Sequence, residues 1–133
     1  MSQENVEIVR RGFAAGDRGD LDGALDEWAP DAVWDWSNGR AFDAGVYRGR
    51  DEIRAFLQER LEAFEEIRFE LVDLQEVEDD RVIVENVAYM RGRDGIQVEA
   101  RSAWLITFRD GKQTSLTLYQ TKQEALEAAG LEE

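Results

Sequence analysis

The chain has 133 residues, 43% of them apolar and only one a proline, so it can bury one core without disulfides or metals. Its 30 acidic and 16 basic residues give a formal charge of −14, which repels phosphate backbones and anionic membranes and disfavours both as partners. Cysteine and histidine are absent, which excludes disulfides, thiolate nucleophiles, imidazole catalysis and metal sites built on these ligands.

The N-terminal part predicts two helices. Apolar residues recur at helical spacing over residues 3–15 and indicate a first amphipathic helix. After a glycine-containing turn, Asp20 is suited to cap a second helix, in which apolar residues recur from Leu21 to Trp28. Pro30 is expected to end this helix, because proline cannot continue it.

A strand, a loop and a long helix follow. The alternating, β-rich stretch Ala32–Trp36 predicts a short strand. Three glycines mark residues 37–50 as a loop with room for a short hairpin. Asp51 is suited to cap the next helix, whose apolar face runs from Ile53 to Phe64.

From Ile67 to Gln120 the hydrophobic period changes to two, which predicts four strands in an antiparallel meander. The turn signals are Glu78-Asp79-Asp80, Asp94-Gly95 and Asp110-Gly111. Thr121 and Glu124 form a capping box for a last helix that ends at Gly130. We expect a single domain over residues 1–133, of the α+β class, in which a curved antiparallel sheet wraps one face around three to four helices and leaves a cone-shaped hollow.

Several short strings resemble the nuclear transport factor 2-like superfamily, in its SnoaL-like branch related to polyketide cyclases and ketosteroid isomerases. They are Gly19-Asp20-Leu21-Asp22, Pro30-Asp31-Ala32-Val33, Tyr47-Arg48-Gly49, Thr107-Phe108-Arg109-Asp110-Gly111-Lys112 and the tail from Glu124 to Leu131. The resemblance implies a cystatin-like α+β barrel with a cone-shaped pocket, and often a homodimer. It says little about activity, because this fold hosts isomerases, cyclases, dehydratases, hydrolases and binding modules.

The catalytic residues that the resemblance implies are mostly absent. A ketosteroid isomerase would have a tyrosine near Gly12, where the chain has Gly12 and Phe13, and a protonated aspartate where Trp104 stands. Its general base would lie near Asp35 or Trp36, so Asp35 is the one catalytic candidate. A bulge would have to turn Asp35 inward and raise its pKa, whereas strict alternation leaves it in solvent. A SnoaL-type cyclase would need a histidine, which the chain lacks.

The candidate ligand-binding residues follow from strand parity and the resemblance. They are Trp34, Trp36, Tyr47, Asn86, Trp104 and Gln120. Large flat rings suit an apolar or aromatic ligand, but three indoles can also fill the cone and leave no cavity. Asn86 and Gln120 need hydrogen-bond partners from a ligand, from water or from local backbone. Tyr47 has two readings, a hydroxyl at the pocket mouth or a ring that packs the loop on the long helix.

Two functions remain open from the sequence. The first is a small-molecule binding protein, or a cofactor-free isomerase, lyase or cyclase, acting on an apolar or aromatic metabolite. The second is a dimerisation or scaffold module that uses the outer sheet face. Glu85, Glu99 and Arg101 lie on that face, where cross-strand pairing or a dimer contact is the simpler explanation for them. No cofactor or metal is expected. The charged N-terminus lacks the apolar block of a secretory signal, so a cytoplasmic location is the default expectation.

Overall fold

The computed structural model describes residues 2–39, 44–78 and 80–131, and within them the chain forms four helices and six strands. In chain order they are α1 (Ser2–Asp17), α2 (Leu21–Leu25), β1 (Trp28–Asp35), β2 (Val46–Arg48), α3 (Gly49–Ala63), β3 (Glu66–Val77), β4 (Arg81–Arg91), β5 (Gln97–Arg109), β6 (Lys112–Tyr119) and α4 (Lys122–Ala128). Residues 40–43 of the predicted loop and Asp79 of the first predicted turn lie outside the described residues.

The strands form one mixed sheet in the order β2-β1-β6-β5-β4-β3. Strands β3 to β6 pair as the predicted antiparallel meander, and the α+β class is confirmed. The expectation of a wholly antiparallel sheet is wrong at one place, since β1 pairs parallel to β6. These two strands are far apart in the sequence, and the long connection between them allows the parallel direction. The second strand, β2, pairs with β1 inside the predicted loop, as a hairpin there requires.

The hairpin between β5 and β6 has the predicted turn. Asp110 and Gly111 both adopt left-handed backbone conformations, with φ of 53° and 77°. A two-residue turn with positive φ at both positions matches the twist of the strands it joins. The Asp-Gly pair therefore fixes the register in which β5 faces β6.

The second helix is shorter than predicted and β1 is longer. Asp20 does cap the helix, accepting a hydrogen bond of 2.9 Å from the Gly23 amide. The helix nevertheless ends at Leu25, because the next backbone is used by the sheet: the Gln113 amide donates to the Glu27 carbonyl at 2.9 Å. Trp28 therefore begins β1, and the strand crosses Pro30 where its register against β6 shifts, a position that tolerates proline.

The third helix begins at Gly49, two residues before the predicted cap Asp51. Glu52 accepts a hydrogen bond of 2.8 Å from the Arg48 amide and so ties down the start of the helix. Asp51 lies in the first turn, where its charge faces the positive end of the helix dipole. At α4 the prediction is confirmed, since Thr121 Oγ1 accepts from the Glu124 amide at 3.1 Å.

Two apolar clusters cover opposite faces of the sheet. The larger lies between the inner sheet face and helices α1 to α3, and it contains the buried tryptophans. The smaller lies on the outer face, where Ala125 and Leu126 of α4 pack on Val77, Ile83 and Ala103. Three helices therefore share the inner face, and α4 covers part of the outer one.

Candidate functional site

The inner face of the sheet, α1 and α3 surround an apolar hollow that has two adjoining parts. The inner part is about 110 Å³ and is lined mainly by rings from α1, α3 and β1, including Phe13, Trp28 and Phe56. The outer part is about 360 Å³ and is lined by residues of α3, β4, β5 and β6. Ligand pockets usually measure about 300–1,000 Å³, so the outer part has the size for a small molecule.

Tryptophans form the wall between the two parts. Trp36 and Trp104 line both parts, while Trp34 lines only the inner one. Their rings pack edge to face or tilted, with 6.0 Å between the centroids of Trp36 and Trp104 and 5.1 Å between those of Trp36 and Phe56. The indoles thus fill much of the inner part, as one of the two expectations held, but they leave the outer part open.

The polar atoms of these indoles are unusual. The Nε1 atoms of Trp34, Trp36 and Trp104 are buried and have no hydrogen-bond partner among the described residues. A buried tryptophan N–H normally donates to an acceptor, because a buried donor without an acceptor lowers the stability of the fold by about 1–3 kcal/mol. The wall of the hollow therefore contains three N–H donors for which the described residues provide no acceptor.

The two predicted carboxamides of the wall behave differently. Both line the outer part of the hollow. Gln120 donates from Nε2 to the Asn38 carbonyl at 2.7 Å, so its amide nitrogen has a backbone partner within the protein, although from a loop distant in sequence. Asn86 is only 1% exposed, and neither its Oδ1 nor its Nδ2 has a partner among the described residues. Its cross-strand neighbour is Ser102, which also lines the outer part of the hollow.

Arg60 is the residue of this site that the sequence analysis missed. It is buried on α3 and lines both parts of the hollow. Its guanidinium carbon lies 5.2 Å from the Trp36 ring centroid and 5.5 Å from that of Phe56, and its Nη2 donates to Met90 Sδ at 3.4 Å. The spacing from Ile53 and Phe56 to Arg60 is three and then four, which puts Arg60 on the apolar face and was the available signal.

Tyr47 takes the packing role. Its ring centroid lies 4.3 Å from that of Phe56 at an interplanar angle of 30°, which holds β2 against α3. The residues that line the two parts of the hollow do not include it. The geometry therefore gives no support to a hydroxyl at the pocket mouth.

Asp35 does not have the properties expected of a general base. Its Oδ1 accepts hydrogen bonds from the Ser37 hydroxyl at 2.6 Å and from the Ser37 amide at 3.0 Å. These bonds, helped by the charge of Arg48, lower the pKa of Asp35, against a smaller opposing effect of burial. Burial, and after it the charge of Asp35, raises the pKa of Tyr119, which packs beside the outer cluster. Of the two alternatives for Asp35, the alternating burial of residues 32–36 and the lowered pKa favour the solvated carboxylate over the inward-facing base.

The outer face of the sheet carries cross-strand charge pairs. Arg101 donates to Glu85 at 3.4 Å, so cross-strand pairing is observed for these two residues. Close by, Tyr89 donates to Glu70 at 2.9 Å, and this hydrogen bond raises the pKa of the tyrosine. Glu99 faces the same tyrosine and acts on its pKa in the same direction. A dimer through this face stays a prediction.

The lining of the hollow differs in charge from the rest of the chain. None of the described residues that line either part is an aspartate or glutamate, although the chain has 30 of them. Within the described ranges, no group of three or more acids is placed to hold a metal ion. None of the helices the structure describes is both long and apolar enough to cross a membrane.

With this fold and hollow, the chain belongs to the SnoaL-like domain family, whose pattern matches residues 9–116. Its fold is that of the nuclear transport factor 2-like superfamily. It is 32% identical to a nuclear transport factor 2-like protein from Burkholderia xenovorans LB400, with a TM-score of 0.72 and 97% of each chain covered. No curated protein matches the sequence.

Two solved structures with bound small molecules share the fold. TerC, co-crystallised with polyporic acid, is 22% identical, with a TM-score of 0.78 over 96% of this chain and 98% of that one. RV0760c from Mycobacterium tuberculosis, in complex with estradiol-17beta-hemisuccinate, is 15% identical, with a TM-score of 0.78 over 90% of this chain and 95% of that one. At these identities the likeness concerns the fold alone.

Proposed function

We propose that this protein binds a small apolar or aromatic molecule in the outer part of the hollow, with Trp36, Trp104 and Asn86 as its principal contacts. The observation that carries the proposal is the Asn86 amide, which is buried at the wall and whose two polar atoms have no partner in the part of the chain that the structure describes. Such a group destabilises a folded protein by about 1–3 kcal/mol unless something pairs with it. A bound molecule is the partner that the adjoining space of about 360 Å³ can hold.

Other proteins of this fold support the same role. TerC and RV0760c were each crystallised with a small molecule. Carbon-rich surfaces and a few polar groups line the hollow here, which is the usual make-up of a ligand pocket.

Binding is favoured over acid–base catalysis. A general base must reach the proton that it abstracts, and none of the described carboxylates lines the hollow. Asp35 is held by Ser37 with a lowered pKa, which suits a solvated carboxylate. A cofactor-free isomerase, lyase or cyclase activity would have to rely on the arginine, amide and indole groups as electrophiles.

The test is to block the hollow and compare with the same change elsewhere. Ala88 lines the outer part of the hollow, and Ala14 is exposed on α1. The probe is N-phenyl-1-naphthylamine, a neutral aromatic amine that fluoresces in apolar surroundings. We expect the wild type and Ala14→Phe to bind it, and Ala88→Phe to bind it at least about tenfold more weakly, because the new ring takes up the space. Equal binding by a folded Ala88→Phe would contradict the proposal.

A further inference from the structure

We propose that the molecule bound in the hollow is a planar aromatic compound that carries no positive charge and presents an adjacent hydrogen-bond acceptor and donor to the Asn86 side chain. This inference rests on the proposed function, since it describes the ligand of the same site. Three independent features carry it: the open amide, the surplus of donors, and the sign of the charges at the wall.

The amide of Asn86 sets the pattern of the ligand edge. Its Oδ1 accepts and its Nδ2 donates, and neither atom has a partner among the described residues. The complementary edge is an acceptor beside a donor, as in a lactam, a carboxylic acid or a hydroxyl next to a carbonyl. An apolar hydrocarbon of the same size would leave both polar atoms of the amide without a hydrogen bond.

The indoles add donors and no acceptors. The Nε1 atoms of Trp36 and Trp104, which line the outer part of the hollow, are buried and have no hydrogen-bond partner among the described residues. Tryptophan can only donate through this nitrogen, so the unpartnered donors of the wall exceed the unpartnered acceptors. The remaining polar atoms of the ligand should therefore be acceptors, which indicates an oxygen-rich ring system.

The charges at the wall exclude a cation. Arg60 is buried and lines the outer part of the hollow, and no described carboxylate does. A cation that leaves water for this site would lose its hydration and meet the like charge of Arg60, which already lies over the Trp36 and Phe56 rings, so it would gain no described counter-charge. The acidic residues that the structure describes do not line the hollow, so they do not offset the charge of Arg60 there.

Three bicyclic probes of nearly equal size test the inference: 1(2H)-isoquinolinone, naphthalene and N-methylisoquinolinium. The first has an acceptor beside a donor, the second has neither, and the third is a cation. Binding is followed by quenching of tryptophan fluorescence in the wild type, Asn86→Leu and Gln120→Leu. Gln120 is the matched control, because it lines the same space but its amide nitrogen donates to the Asn38 carbonyl.

We expect Asn86→Leu to weaken isoquinolinone binding about tenfold, the loss of about two neutral hydrogen bonds, and to leave naphthalene binding unchanged. Gln120→Leu should change isoquinolinone binding by less than about threefold, and the cation should bind to none of the proteins. Asn86→Ala serves as a second variant should the leucine disturb the fold, which circular dichroism would reveal.

Different results overturn different claims. Equal loss of both neutral probes in Asn86→Leu, no loss of isoquinolinone, or tight binding of N-methylisoquinolinium overturns the inference about the ligand and leaves a binding hollow in place. Failure of the wild type to bind isoquinolinone and naphthalene alike overturns the proposed function together with the inference.

Discussion

The two ends of the inner face of β4 and β5 differ in how they are covered. At one end Val82, Val84 and Ile106 are at most 2% exposed and pack within the large apolar cluster. At the other end Val98, on the same face of β5, is 47% exposed and borders the outer part of the hollow. The alternation of residues is the same at both ends, so the difference comes from the helices, which cover the first end and not the second. One end of the sheet is a core, and the other is available for a ligand.

The largest expected effect separates these ends by stability. Ile106→Ala should lower the free energy of unfolding by about 2–5 kcal/mol, because it leaves a cavity in the covered end. Ile96, which is 63% exposed beside the open end, offers the same substitution as a control. Ile96→Ala should change stability by no more than about 0.5 kcal/mol. Denaturant titration measures both values, and similar losses would mean that the open end is packed after all.

The second prediction concerns the unpartnered amide. Asn86→Leu should raise the free energy of unfolding of the ligand-free protein by about 1–3 kcal/mol, because it removes two buried polar atoms that lack partners. Gln120→Leu should not stabilise the protein, since it breaks the bond to the Asn38 carbonyl. A loss of stability in Asn86→Leu, measured by thermal and denaturant unfolding, would show that the amide is already satisfied without a ligand.

The order of the elements could be predicted from the sequence because most of their boundaries are set by local chemistry. Thr121 and Glu124 start α4, and Asp110 with Gly111 closes the last hairpin, as predicted. The segment up to Trp28 was predicted as helix because its apolar residues have helical spacing. In the structure the Glu27 carbonyl instead accepts a hydrogen bond from the Gln113 amide, which belongs to a strand distant in sequence. At this position a tertiary hydrogen bond overrides the helix propensity of the segment.

The site was predictable to the extent that alternation decides which face a residue occupies. Asn86 and Trp104 lie where parity placed them. Parity could not tell which of the two carboxamides would find a backbone partner, since the Asn38 carbonyl comes from a separate loop. Arg60 was overlooked because a charged residue on an amphipathic helix is usually assigned to solvent. Here its guanidinium group makes cation–π contacts with the rings of Trp36 and Phe56.

A smaller effect is expected on the outer face of the open end. Arg101 pairs there with Glu85, and both belong to the surface on which a homodimer is predicted. Arg101→Glu places like charges opposite each other, which costs less than about 1 kcal/mol in a monomer because exposed pairs are weak. A dimer built on this face would dissociate. Light scattering on both proteins decides the matter, and a monomer in both cases removes the support for the dimer.

The smallest effect concerns Asp35. Its pKa tests whether its carboxylate belongs to the hollow or to the solvent-exposed side of β1. Its pKa is lowered in the folded protein chiefly by the Ser37 hydroxyl, then by the Ser37 amide. A lowered pKa stabilises the fold above the ordinary carboxyl value, and this contribution is lost as the pH falls through the lowered value. Ser37→Ala should raise the pKa of Asp35 toward its ordinary value, which NMR titration of the carboxyl carbon follows. The contribution of Asp35 to stability at neutral pH should become smaller. Because the hollow lacks described carboxylates, naphthalene binding should not change with this variant. A pKa that starts above the ordinary value, or that shifts when the probe binds, would return Asp35 to the site as a candidate base.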